Sequence, residues 1–317
     1  PLRGGFIIPR PMGVVGDFNE ERVVQTAKHA LRAAQIMGIN INPEKLIKKA
    51  LKTWPDPTGA RLISSMDEAG IDLTVICSVD NTERLTQEVI QKINKKMGHI
   101  AQKYPDRVMA LAGIDPRRPN APDMLKKCFE EFGVKGLKYH PDHGYDPSGP
   151  ESYRVLDVLN HNGGILLTHT GPLMPPARCK FASPSLLADL AVDFPELKVI
   201  AAHMGAINWR PWAALAVHQP NLYGDLAMWD SYAFGHYSLF CRELRDILDY
   251  AGVSKVVFGT DNPIFNTVQP TRNWIRLIKN LPNNAPKGIV FTKAEVVAIL
   301  GENAAAILNL NETAGPS

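Results

Sequence analysis

The sequence predicts an α/β fold, a parallel (β/α)8 barrel, on three observations. Short apolar runs alternate with helix-period segments, polar residues suited to ligation close several of those runs, and the length matches one such unit. At 317 residues the chain is long enough to bury a full core without demanding two unrelated domains. Residues 1–317 are therefore read as one barrel domain. A hydrophobic content of 45% with 21% charged residues belongs to an ordinary folded globular protein.

Residues 1–56 read as a long excursion after the first strand, with helices near 20–37 and 43–53. Excursions of that length on the catalytic face of a barrel often act as lids. Apolar runs occupy residues 73–78, 108–114, 134–139, 165–169, 199–203, 222–227 and 256–260. They are rich in Val, Ile, Leu and Ala without polar alternation, the pattern of parallel strands buried on both faces. The helix over 61–69 stops at Gly70, a natural C-cap. Ser183-Pro184 pairs an N-cap with a proline at N1 and starts a helix towards Phe194. Thr292 and Glu295 make a capping box for a segment ending near Gly301.

Strand–helix alternation of this kind requires crossovers and a parallel sheet. Only seven runs can be counted, whereas a closed barrel needs eight. An open doubly wound sheet would tolerate seven, but it usually advertises a glycine-rich phosphate loop, which the sequence lacks. The expectation is a barrel whose first strand lies before Pro1, with part of the metal site on it. The absence of a leading methionine points the same way.

The formal net charge of +3 is small and scattered. Lys48-Lys49, Lys95-Lys96 and Lys126-Lys127 fall in amphipathic segments, where solvated helix faces account for them. Nucleic acid is not an expected partner. No apolar run reaches a membrane span, so neither is a membrane. Cys77, Cys128, Cys179 and Cys241 are widely spaced, against a disulfide framework or a structural zinc cluster and in keeping with a reducing compartment. No secretory signal is visible, and the cytoplasm is the expected location. The expected partner is a small organic acid, with homo-oligomerisation left open.

The chemistry lies at the C-terminal ends of the strands. Four runs close on Lys138-Tyr-His140-Pro, Thr-His169-Thr-Gly, Ala-His203-Met-Gly and Thr-Asp261-Asn-Pro. In a parallel barrel those ends converge on one mouth, so residues distant in sequence meet. Two imidazoles and a carboxylate are the donors that a catalytic zinc, manganese or iron ion uses while keeping a position for water. The ion lowers that water's pKa, and the carboxylate can hold or remove its proton. A single strand-end histidine is more often structural. Histidines on two successive strands plus an aspartate on the last are not readily explained that way. Lys138 and His140 balance evenly between substrate contact and structural pairing. His143, Arg178, Arg210 and the tryptophans Trp209, Trp212 and Trp229 lie just beyond strand ends, where a substrate pocket and aromatic packing are equally good explanations. His29, His99, His161, His218 and His236 read as structural or surface residues.

The sequence resembles the second amidohydrolase family, the aminocarboxymuconate-semialdehyde decarboxylase-like, TIM-barrel metal-dependent hydrolases. The motifs that carry the resemblance are Met66-Asp-Glu-Ala-Gly-Ile-Asp72, Gly133-Val-Lys-Gly-Leu-Lys-Tyr-His-Pro141, Thr168-His-Thr-Gly171, Phe194-Pro-Glu-Leu-Lys-Val-Ile-Ala-Ala-His-Met-Gly205, Phe258-Gly-Thr-Asp-Asn-Pro263 and Glu302-Asn-Ala304. Each is weak alone, but their order and spacing are specific. The resemblance implies a divalent metal, zinc first, held by His169 and Asp261. His203 would be a further ligand or an acid/base, and Asp261 the proton acceptor. The family's paired ligands on the first strand, His-x-His or Glu-x-His, are absent near Pro1. The turn His203-Met-Gly-Ala-Ile-Asn-Trp-Arg210 is nearer to the family's hydrolases than to its aromatic-acid decarboxylases.

Hydrolysis of a small carboxylate-bearing ester, lactone or amide is therefore the first expectation. Non-oxidative decarboxylation of a hydroxylated aromatic or muconate-type acid is the second. A non-catalytic barrel that binds a small molecule comes third. Lys138, His140, Arg178 and Arg210 are the expected substrate-binding residues, because arginine forks suit carboxylates.

Overall fold

The computed structural model describes residues 20–310 apart from residue 174. The chain forms two units, one of residues 75–225 and one built from the chain on either side of it.

In the first unit, strands β1 (Thr74–Cys77), β2 (Val108–Gly113), β3 (Gly136–Tyr139), β4 (Ile165–His169), β5 (Lys198–Ala202) and β6 (Leu222–Asp225) stand in sequence order. Neighbours from β2 to β6 pair in parallel, with Leu166 opposite both Leu137 and Val199. Their side chains are buried on both faces, Val75, Leu111, Leu137, Leu166 and Ile200 completely so. The absence of polar alternation in the sequence has this cause. Each strand stops within a few residues of the end of its apolar run, where polar groups leave the sheet.

The helix expected after Ser183 is only partly formed. Pro184–Leu187 is a 3-10 turn, Ala188–Asp193 is the helix, and the Ser183 hydroxyl caps neither. That turn is tied down from outside, by the Ser148 hydroxyl bonding the Leu186 carbonyl and by Pro184 lying against Gly205.

In the second unit the helices Glu20–Ile36 and Pro43–Thr53 form as expected, the latter capped by Asn42, whose side chain accepts from Lys45 N. Their apolar faces join Ala27, Ala30, Leu46, Ala50 and Trp54 to Ile264 and Phe265. Trp54 Nε1 donates to Thr267 Oγ1 at 2.7 Å, so the excursion is packed on the segment after β7 (Val256–Val257). Residues 1–19, the start of that excursion, and any strand before Pro1 lie outside the described residues. Helix Ala60–Ala69 ends at Gly70 in the left-handed region, as expected. The capping box of Thr292 and Glu295 is present, but the segment does not end near Gly301. One π turn, Ala298–Glu302, carries it into Asn303–Ile307. There Phe258 N–H bonds the Ile299 carbonyl, a partner that a regular helix would have used internally. Among the described residues no helix is long and apolar enough to cross a membrane.

The ends of β1 and β2 are held by one buried amide. Asn94, on helix Gln87–Lys103, donates from Nδ2 to the Gly113 carbonyl at 3.1 Å and accepts from Gly113 N at 3.0 Å. Its oxygen also accepts from the Ser78 hydroxyl. This clamp precedes the two aspartates, Asp80 and Asp115, that leave the sheet at these ends. Replacing Asn94 with Ala strands the Gly113 carbonyl without its partner, which costs about 1–3 kcal/mol. Denaturant unfolding of Asn94→Ala should show that loss, and an unchanged midpoint would contradict the role.

Candidate metal centre

His169 is the last residue of β4, and the chain turns immediately after it. Thr170 Oγ1 donates to the Ala202 carbonyl at 2.6 Å and accepts Gly205 N–H at 2.8 Å, which knits the loops after β4 and β5 together. At Gly171 a Cβ would lie 2.9 Å from Gly205 C, so this close approach needs glycine. Beyond β5, His203, Met204, Gly205 and Ala206 all have positive φ, from 52° to 79°. Three non-glycine residues in that region cost on the order of 1 kcal/mol each. The strain is held partly by Asp225, at the end of β6, which accepts His203 N–H at 2.9 Å. The His203 ring turns its Nδ1 towards the same carboxylate, 3.9 Å away.

These turns bring four imidazoles together. Ring centroids are 5.0 Å apart for His169 and His203, 4.7 Å for His140 and His169, and 4.9 Å for His143 and His140. Asp142 Oδ1 lies 2.5 Å from His140 Nδ1. His143 Nδ1 is 2.9 Å from the Asp80 carbonyl.

His169 shows what the cluster is suited to. Its Nε2 is 3.1 Å from the Gly171 carbonyl, and a carbonyl only accepts, so Nε2 carries the proton. Burial first, and the neighbouring His140 next, hold its pKa well below the usual imidazole value, so the ring is neutral. Nδ1 is then an unprotonated lone pair, buried and without a hydrogen-bond partner. A neutral imidazole held in one tautomer by its second nitrogen is the form that binds a metal. One ligand atom each from His140, Asp142 and His169 lie within 4.8 Å of one another. Two imidazole nitrogens and a carboxylate oxygen suit a borderline divalent ion, so these residues fit the metal that the resemblance implies.

His169 and His203 thus stand together, as expected, and His140 joins them. His140, expected on the substrate, has the placement of a ligand. Lys138 is buried on β3, and its charge adds to the lowering of the His169 pKa. Arg178 approaches through its backbone, its N–H donating to the Asp142 carbonyl at 2.6 Å. Arg210 lies over the Trp209 ring at 4.5 Å. Trp212 and Trp229 pack as core aromatics. Asp261 belongs to the other unit, buried shortly after β7 with φ 51°. There its charge and, more strongly, burial push Asp230 up to about 7.

Several carboxylates near the cluster escaped the sequence reading. Asp80, Asp115 and Asp225 close or follow β1, β2 and β6, where the rule that selected the histidines would have found them. Asp80 takes Arg118 in a fork, with both bonds 2.7 Å, and accepts Asp115 N–H at 2.8 Å. Asp142, two residues after His140, had no signal beyond that spacing.

A buried neutral imidazole with an open lone pair, a second imidazole and a carboxylate, gathered where parallel strands end, are the groups that a metal-dependent enzyme uses. The chain belongs to the amidohydrolase family, a metal-dependent family whose profile matches residues 78–310. No curated protein sequence matches it. Among solved structures, it is similar to an uncharacterised TIM-barrel protein from Bordetella bronchiseptica, with 19% identity, TM-score 0.70, and 96% of this chain and 97% of that one covered. A dihydroxybenzoic acid decarboxylase from Polaromonas, solved with bound manganese and the inhibitor 2-nitroresorcinol, has TM-score 0.61, 18% identity, and 85% and 91% coverage. A probable 2-pyrone-4,6-dicarboxylic acid hydrolase from Acinetobacter baumannii, with citric acid bound, has TM-score 0.56, 17% identity, and 80% and 90% coverage. At these identities the likeness shows the fold, a TIM barrel.

Asp230 gives a pH test. Its folded pKa of about 7 lies above the ordinary 3.8. Between those values the folded chain keeps a proton that the unfolded chain loses, so stability falls as pH rises and the loss is complete above the folded pKa. Asp230→Asn removes the penalty. In chelator-treated protein its melting temperature relative to the parent should rise more at pH 8 than at pH 5. Equal differences at both values would contradict the assignment.

Proposed function

We propose that this amidohydrolase-family enzyme is a zinc-dependent hydrolase of small esters, lactones or amides that carry a carboxylate. The observation that carries the reading is the unpartnered Nδ1 lone pair of neutral His169 beside His140 and Asp142. His169 and Asp261 would hold the ion, as their strand-end positions and the resemblance imply, with His140 and Asp142 completing the ligand set and His203 serving as the acid/base. Manganese, which the Polaromonas relative binds, and iron are the alternatives to zinc. When bound, such an ion polarises the acyl oxygen and activates water near neutral pH.

The chain supplies the rest. Asp261 accepts the proton of the attacking water and passes it to the leaving group. Asp225 fixes the backbone of His203 and faces its Nδ1, which directs Nε2 away for proton transfer. Lys138, Arg178 and Arg210 bind the substrate's carboxylate. Buried Cys77, Cys128 and Cys241, none of them in a disulfide, support a reducing cytoplasm as the setting.

Decarboxylation of a hydroxylated aromatic acid is the second reading, favoured by the similarity to the dihydroxybenzoic acid decarboxylase. In it the same ligands hold the ion and His203 protonates the ring carbon. A panel of lactones, esters, amides and hydroxylated aromatic acids, with carbon dioxide and acid release both monitored, separates the two. Acid release without carbon dioxide is the expected result. Asp261→Asn should lower kcat at least a hundredfold, about 2.7 kcal/mol of barrier, with the fold retained. His169→Ala should lose the metal by elemental analysis. Turnover undiminished in either variant would overturn the assignment.

A further inference from the structure

Beyond the histidine cluster, the loop after β3 carries a feature that ligation does not use. Gly144 comes directly after His143, with φ +103°. A Cβ built there would meet Arg178 Cδ at 3.3 Å, Arg117 Nη1 at 3.6 Å and Arg178 Nε at 3.7 Å. Two guanidinium groups therefore converge over one glycine, next to the histidine that stacks on His140.

The two arginines are held differently. Arg117 is rigid: its Nε and Nη2 fork onto Asp115 at 2.9 and 2.6 Å, and it lies over the Tyr145 ring at 5.7 Å. Asp115 has no exposed side-chain surface, so it is a fixed anchor. Both donors of that fork are committed, and Nη1 is the nitrogen nearest Gly144. Arg178 is anchored by its backbone, through the 2.6 Å bond to the Asp142 carbonyl. Its guanidinium makes no ion pair or hydrogen bond among the described residues. Asp142 is engaged by His140, and among the described residues Asp115 is the carboxylate paired with either arginine. Arg117 is balanced by Asp115, whereas the exposed guanidinium of Arg178 brings its charge beside that fork without a paired carboxylate among the described residues. An anion placed there would meet one fixed and one adaptable guanidinium.

We propose that Arg117 and Arg178 clamp a carboxylate of the substrate over Gly144, at the end of the histidine row remote from His203. Arginine forks match the planar carboxylate, and a guanidinium pre-organised by a second carboxylate loses little freedom on binding. The glycine provides the room, because any side chain at 144 would occupy the space between the two groups. The clamp deepens the hydrolase reading by adding Arg117, which the sequence did not single out, and by fixing where the acidic end of the substrate sits.

The test is calorimetric titration of zinc-loaded full-length protein with isophthalate, benzoate and inorganic phosphate, with zinc per chain measured alongside. The parent should bind isophthalate more tightly than benzoate or phosphate. Arg178→Gln should weaken isophthalate at least tenfold, roughly one lost charge-assisted hydrogen bond, while benzoate shifts little. Arg178→Lys, which keeps the charge but not the fork, should fall between. Arg117→Gln should match Arg178→Gln; Arg178 is outside the buried core, so its variant stands alone if loss of the Asp115 pair impairs folding. Parent-like isophthalate binding by Arg178→Gln, no preference of the parent for isophthalate over benzoate, or tighter binding of phosphate would each overturn the clamp. Failure to hold zinc, with isophthalate binding still dependent on Arg178, would sink the metal-hydrolase reading and leave the clamp standing.

Discussion

The hydrogen bond from His169 Nε2 to the Gly171 carbonyl decides what the site can be. It places the proton on one nitrogen, and burial keeps the ring from taking a second. What remains is a lone pair on Nδ1 inside the protein, where an unpaired polar atom normally costs about 1–3 kcal/mol. The turn that delivers the carbonyl is itself demanding. Gly171 must lie against Gly205, and His203, Met204 and Ala206 must adopt positive φ. Packing alone gives no reason to hold a strand end in this way. A metal ion that uses the lone pair does.

The surroundings are built to the same end. Carboxylates under the histidines are neutralised or oriented rather than left to repel. Asp80 is forked by Arg118, Asp115 by Arg117, Asp225 holds the backbone of His203, and Asp142 takes the imidazole of His140. Burial raises the pKa of Asp115, yet the hydrogen bonds and charge of Arg117 outweigh it and keep the group ionised. The stacking of side chains at strand ends thus produces both a ligand set and a fixed electrostatic field. In the other unit Asp230 and Asp261 show the opposite balance, one carboxyl kept near neutrality by burial and by its neighbour's charge.

Much of this was legible in the sequence, because it is dictated by strand periodicity. Apolar runs without alternation located β1 to β7, and the polar residues closing them located His169, His203 and Asp261. The same rule applied to carboxylates would have found Asp80, Asp115 and Asp225. What could not be read depends on three-dimensional turns. His140 becomes a partner of His169 because the parallel register sets Tyr139 opposite Thr168, and Asp142 follows in the turn after β3. The broken helix after Ser183 and the π turn before Asn303 were missed for a related reason. Both are set by bonds from distant chain, from Ser148 to Leu186 and from Phe258 to Ile299, which local capping residues do not encode.

The central claim is that the buried imidazoles form a metal centre, and X-ray absorption spectroscopy of the zinc-loaded protein addresses it most directly. The predicted spectrum has a first shell of nitrogen and oxygen near roughly 2.0–2.1 Å, as zinc takes from histidine and carboxylate, with outer-shell scattering from at least two imidazoles. That scattering should diminish in His169→Ala. A sulfur shell near roughly 2.3 Å, or an oxygen-only shell without imidazole scattering, would contradict the account.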